Sequence, residues 1–196
     1  MTPHPESARL ARGTRRCLPL AIPWSGDTFR FAAPRWSVPD LLLSGEGAFR
    51  HGGRWCPPGL FRAVDSSLDP ETALAEVLAQ YRRFDWAIRD ALPKLVAALE
   101  VRLQRVLDLT DGRVRRRLGL SLDRMGREPW WQRQAAGEEA LTQAAGRVAW
   151  EAGAEGLLVP SAARPRGVNL VYFPGRRLPG SAVNIIHPEE LPGSVP

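Results

Sequence analysis

A helical pattern that stops at Gly153 runs straight into three short apolar segments, 156–159, 168–173 and 182–186, each bounded by proline or glycine. Apolar runs of this length between turn formers read as buried strands, so the C-terminal third is mainly β. Upstream the order is different. Residues 28–32 form a first strand candidate, and Asp69-Pro70-Glu71 opens a helix over 70–83. There Asp69 is the N-cap and Pro70 takes the first helical position, where its missing N–H costs nothing. Leu74, Val77, Leu78 and Tyr81 follow at helical spacing. Leu99, Val101 and Leu103 alternate with Glu100, Arg102 and Gln104, the pattern of a strand with one wet face. A short helix is expected over 113–118 and a longer one over 138–152, the latter carrying Leu141, Ala145, Val148 and Ala149. Strands and helices are intermixed without regular β-α-β alternation, which excludes a doubly wound parallel sheet and predicts an α+β fold in a single compact domain.

A chain of 196 residues with 44% apolar side chains supports one core rather than two. The domain proper is placed at 25–190. Residues 1–24 and the tail 191–196 show no periodicity and are expected to be loosely ordered. No apolar run approaches the ~18 residues that a spanning helix needs. Arg15-Arg16 precedes an uncharged stretch that Pro19 and Pro23 break and that lacks a cleavage pattern, so a cytoplasmic protein is expected, with no membrane partner.

Net charge is +6, and of 27 basic residues all but Lys94 are arginine. Arginine forks onto phosphate and carboxylate oxygens in pairs, which favours anionic ligands. The arginines are spread along the chain, with no zinc-finger spacing, aromatic RNA-binding signature or helix-turn-helix, so direct nucleic-acid binding is not expected. Cys17, Cys56, His4, His51 and His187 are scattered without metal-ligand spacing, and no metal site is expected.

Three places carry candidate chemistry. The glycine-dense stretch from Gly45 to Trp55 lacks the third glycine of a dinucleotide fingerprint, and the chain has no phosphate-loop GK[ST]. Its glycines would let backbone approach a ligand flanked by Arg54 and Trp55; the alternative is a tight hairpin with Trp55 in the core. Glu76 sits among Ala73, Leu74 and Ala75, either as a partly buried carboxylate able to steady positive charge or as a solvated helix charge. Ser161 follows Pro160 at the end of a strand without a G-x-S-x-G elbow, which excludes a serine hydrolase of that kind. Trp130, Trp131 and Trp150 are read as core or pocket wall.

The order of these motifs resembles the RES family, the toxin half of RES–Xre toxin–antitoxin pairs. The resemblance is carried by Thr28-Phe29-Arg30-Phe31, Gly45-Glu46-Gly47-Ala48, Gly52-Gly53-Arg54-Trp55, Pro58-Gly59 and Thr72-Ala73-Leu74-Ala75-Glu76. It continues through Gln143, Gly156 to Ala162 and Asn169-Leu170-Val171. It implies a fold similar to ADP-ribosyltransferase toxins and NAD as substrate, with no cofactor. The bond between nicotinamide and ribose would be broken and the ADP-ribosyl group passed to water, phosphate or a protein. By position the resemblance puts catalytic roles on Arg54, Glu76 and Ser161, and NAD binding on Arg30, Phe31, Asp65 and Asn169. It implies a helix-turn-helix antitoxin of the Xre type as partner. The chain departs from the family pattern at Asp65, where a tyrosine is frequent 11 positions before the glutamate, at Cys56 for asparagine, and at Phe31 for tyrosine. Either Phe61 or a tryptophan then supplies the missing ring, or the substrate pose differs. Two other readings use the same residues: an ADP-ribosyltransferase acting on a particular protein, and a non-catalytic anion- or nucleic-acid-binding module.

Overall fold

The computed structural model describes residues 1–34, 38–83, 85, 87, 89 and 94–191. The expected loose tail beyond Leu191 lies outside the described residues. Six strands carry the fold: β1 (Ile22–Ala32), β2 (Val64–Ser67), β3 (Leu95–Asp108), β4 (Gly156–Pro160), β5 (Val168–Tyr172) and β6 (Ala182–Ile185). Their order is β1-β2-β5-β4-β3-β6, and β3 also pairs along its other edge with β1. Five strands therefore close on themselves, with β6 beside β4 on one edge of β3. The join between β1 and β2 is a single residue pair, Phe29 with Ser67. Among the described strands only β3 and β4 run parallel, in accord with the α+β expectation.

The apolar run of β4 reads as continuous because both its faces are buried. Leu157 and Val159 point into one core cluster and Leu158 into the other, and Val171 opposes Leu170 and Tyr172 in β5 in the same way. The first cluster is covered by helices α1 (Ser7–Cys17), α5 (Gly112–Leu118) and α8 (Leu141–Glu151). Between β1 and β2 lie the short helices α2 (Pro39–Leu43) and α3 (Glu46–His51), and α4 (Pro70–Arg83) follows β2. The Asp69 carboxylate accepts from the Thr72 N–H at 2.8 Å, as expected for the N-cap of α4. Two further short helices, α6 (Leu122–Arg127) and α7 (Trp130–Ala135), precede α8.

The first 24 residues are ordered, contrary to the expectation of a loose segment. α1 inserts Leu10 and Cys17, both fully buried, into the first core cluster. Its periodicity is hard to see because much of the buried face is small: Gly13 lies against the main chain of Arg117, and Thr14 is also buried. Polar contacts fix the segment as well. The buried Glu139 carboxylate accepts from the His4 N–H at 3.0 Å and forms a two-pronged ion pair with Arg147 at 2.7 and 2.9 Å. Glu139→Ala would leave the His4 N–H unsatisfied and strip the half-buried Arg147 guanidinium of its two-pronged partner, leaving it only Glu151 and the Ser7 hydroxyl, so it is expected to lower stability by about 3 kcal/mol. A urea-unfolding midpoint unchanged from the parent would show that this carboxylate does not hold the N-terminal segment.

The glycine-dense stretch is a short helix that leads into a tight antiparallel turn of the hairpin kind. It folds as α3, entered through Gly45 at φ +67°, a left-handed conformation where a Cβ would also lie 2.8 Å from the Ala63 nitrogen. A tight turn follows, in which Gly53 and Cys56 exchange main-chain hydrogen bonds. Trp55 is anchored in the first core cluster at 5% exposure, as the core reading expected.

Candidate functional site

Strand β1, the turn 53–56, strand β2, helix α4 and strand β5 enclose a cavity of about 690 Å³. Arg30 and Phe31 reach it from β1, Arg54 from the turn, Asp65 from β2, Glu76 from α4 and Asn169 from β5. These six expected residues, drawn from four elements and a turn, line the same cavity. Ser161 lies directly behind this lining: its hydroxyl donates to Glu76 Oε1 at 2.7 Å.

Glu76 is held from two sides. Asn169 Nδ2 donates to the same Oε1 at 2.7 Å, and Ser67 Oγ donates to Asn169 Oδ1 at 2.7 Å, fixing the amide orientation. Ser161 Oγ in turn accepts from the N–H groups of Ala163 and Arg164 at 3.1 and 3.0 Å. Arg164 then bridges to Asp69 Oδ1 at 2.7 Å, tying this loop to the start of α4. Glu76 Oε2 accepts no hydrogen bond from any described residue, so one carboxylate oxygen is oriented and the other is available. Glu76 is thus no idle helix charge.

Arg30, Arg54 and Arg83 bring positive charge to the wall. Burial lowers the pKa of each from its ordinary value, and Arg83 adds repulsion at Arg54; arginine nonetheless stays charged. Arg54 donates to the Met125 carbonyl at 2.6 Å and Arg30 to the Asp65 carbonyl at 2.5 Å. Arg30 Nε and Trp130 Nε1 are buried donors with no partner among the described residues, and both belong to the cavity lining. Buried donors are ordinarily paired, so these two are open to an acceptor that enters the cavity. Asp65 opens onto the cavity while protein surrounds it; the poor solvation of its charge, with Glu76 as a like neighbour, raises its carboxyl above the ordinary value against the pull of Arg30.

Phe61 does not supply the missing ring. It is stacked on Trp150 at 5.1 Å and edge-on to Phe173 at 5.3 Å, inside the core. The cavity rings are Phe29, Phe31, Trp55 and Trp130, which places Trp130 in the pocket wall. Cys56 is buried, its thiol donates to the Phe61 carbonyl at 3.0 Å, and burial pushes it up to about 12, which leaves it inert.

Sequence reasoning missed Arg83 and Ser67, while Trp130 lies where the pocket-wall reading put it. Arg83 was within reach: Glu76, Gln80 and Arg83 recur at i, i+4 and i+7, a polar stripe on one face of α4 that the helix turns toward the cavity. Gln143, noted only as part of the motif order, is fully buried and donates to the Gly53 carbonyl at 3.1 Å, bracing the Arg54 turn.

A second cavity of about 510 Å³ lies beside the N-terminal segment and α6. Its arginines are already committed, Arg124 to Glu6 and Arg133 to Glu128 and Glu138. It offers no available charge comparable to the first.

The chain is 33% identical over 178 residues to the NAD(+) phosphorylase MbcT of Mycobacterium tuberculosis, which covers 87% of this chain and 81% of that protein. The same figures hold for MbcT of Mycobacterium bovis. Among solved structures, the crystal structure of the M. tuberculosis MbcT–MbcA toxin–antitoxin complex matches with a TM-score of 0.67 at 28% identity, covering 93% of this chain and 98% of that one. The family model for the RES domain matches residues 27–192, and the chain belongs to that family.

Proposed function

We propose that the chain is the toxin of a toxin–antitoxin pair and that it cleaves the nicotinamide–ribose bond of NAD, passing the ADP-ribosyl group to a small acceptor and depleting the cell of NAD. The relative named an NAD(+) phosphorylase and the toxin–antitoxin complex of similar fold support this reading. The observation that carries it is the oriented Glu76 carboxylate on a cavity wall with three arginines.

The chemistry requires these parts. As the C1′–N bond breaks, its electron pair neutralises the pyridinium ring, so nicotinamide leaves without a general acid. Positive charge moves onto the ribose carbon and ring oxygen. Glu76 Oε2 meets that charge, or a ribose hydroxyl sharing it, in a site where the carboxylate is already oriented. Arg30, Arg54 and Arg83 face the pyrophosphate, and Phe31 gives a ring against which a flat heterocycle can lie. Asn169 and Ser161 position Glu76. Ser161→Ala removes one hydrogen bond to a charged oxygen, of about 1.5–3 kcal/mol, and should lower kcat/KM about tenfold to a hundredfold. Unchanged kinetics in steady-state assays would leave Ser161 no part in orienting Glu76.

The partner in this reading is a helix-turn-helix antitoxin of the Xre type, and the site of action is the cytoplasm, where NAD is abundant. Among the described residues no helix is long and apolar enough to cross a membrane. Induction of the chain in a bacterial host tests the reading, with NAD extracted at intervals. NAD should fall before growth stops, and co-expressed antitoxin should prevent both. Growth arrest at constant NAD, with ADP-ribose found on one protein by mass spectrometry, would instead identify a protein-modifying transferase.

A further inference from the structure

The cavity holds a second carboxylate that the mechanism above does not use. Asp65 and Ser67 are two residues apart on β2, so they share a face and stand one strand repeat, about 7 Å, from each other. Ser67 begins the chain of hydrogen bonds that runs through Asn169 to Glu76. Asp65 therefore stands beside the start of the Glu76 relay, and both carboxylates belong to the lining of one cavity.

The Asp65 carboxylate is uncommitted. It accepts no hydrogen bond from any described residue, and Arg30 directs Nη1 to the Asp65 main-chain carbonyl rather than to the carboxylate. Both flanking residues on β2 are buried, whereas the Asp65 side chain opens to the cavity. The charged groups acting on it are Arg30 and Glu76; the nearby Cys56 thiol is un-ionised. A free carboxylate open to the cavity, with its pKa raised by the surrounding protein and by Glu76, is poised to take up a proton. It also repels a second anion on the same path.

We propose that Asp65 selects the acceptor: it takes the proton of an attacking water and disfavours phosphate, so that this chain hydrolyses NAD more readily than it phosphorolyses it. The proposal rests on the reading that NAD is cleaved in this cavity. In the step, the water oxygen bonds to C1′ as the C1′–N bond breaks. The electron pair of that bond goes to the ring nitrogen, and the water proton goes to Asp65. The products are ADP-ribose, neutral nicotinamide and a protonated Asp65, which returns its proton to solvent. Phosphate dianion needs no such base and would have to approach a like charge.

Purified full-length chain is incubated with NAD over a range of inorganic phosphate, and ADP-ribose and its 1″-phosphate are separated by chromatography. The parent should yield mainly ADP-ribose at millimolar phosphate. Asp65→Asn, nearly isosteric, should lose hydrolysis about tenfold or more relative to phosphorolysis, so the product ratio inverts. Asp65→Glu keeps the carboxylate and should stay on the parent's side of that ratio. A parent product that is mainly the phosphate ester, or a ratio that Asp65→Asn leaves unchanged, overturns the proposal while leaving NAD cleavage intact. A parent that releases no nicotinamide at any phosphate concentration overturns the underlying reading, and this one with it.

Discussion

Glu76→Gln is expected to reduce NAD cleavage by a factor of about 10² to 10³, equivalent to about 2.7–4 kcal/mol, the range for a preorganised group that meets charge formed only in the transition state. The glutamine oxygen can still accept from Asn169 Nδ2 and Ser161 Oγ, the two hydrogen bonds that Glu76 Oε1 makes. The fold and the cavity are therefore retained, and the loss falls on kcat rather than on stability. Kinetics beside a thermal melt check this: a variant with the parent's melting temperature and the parent's kcat would remove Glu76 from the mechanism.

Gly146→Ala should be the most damaging single-methyl change. A Cβ at Gly146 would lie 1.8 Å from the Trp55 carbonyl oxygen and 2.8 Å from its carbon, so backbone, not a side-chain tip, has to move. Overpacking of this kind costs about 1–3 kcal/mol or more. The part displaced is the turn that carries Arg54, and a shift of about 1 Å in a positioning group can lower activity about a hundredfold. Gly47→Ala is the control. Gly47 lies in α3 with nothing within 4 Å of an added Cβ, so alanine there should raise stability by up to about 1 kcal/mol. Equal melting temperatures and activities for the two variants would show that the close approach of α8 to Trp55 is not required.

How much of this was visible beforehand depends on whether the signal was local. Helix α4 was legible to its ends because Asp69 and Pro70 mark its start and its apolar positions recur with helical period. Strand β3 was recognised only around 99–103, where a wet face alternates with a dry one. It extends from Leu95 to Asp108, and the ends carry Ala97-Ala98 and the doubly buried Val106-Leu107, where alternation fails. Helix α1 escaped because a close approach at Gly13 and the hydrogen bond of the His4 N–H to Glu139, just ahead of the helix, do what apolar periodicity does elsewhere. The candidate site residues were grouped by motif order, which names Arg54, Glu76 and Asn169 together and not how they meet. Their meeting depends on pairings across the sheet, such as Ser67 with Asn169, and on Gln143 reaching Gly53 from α8. The place of the missing ring was undecidable from sequence. Phe61 and the tryptophans are equally aromatic, and only packing puts Phe61 in the core and Trp130 at the cavity.

Cleavage of the nicotinamide–ribose bond of NAD in this cavity, as proposed, can be measured on the chain alone. The most direct test is nicotinamide release by the purified chain with NAD alone and with phosphate added, followed by chromatography. The account predicts stoichiometric nicotinamide and loss of NAD without any acceptor protein. NAD recovered intact under both conditions would contradict it.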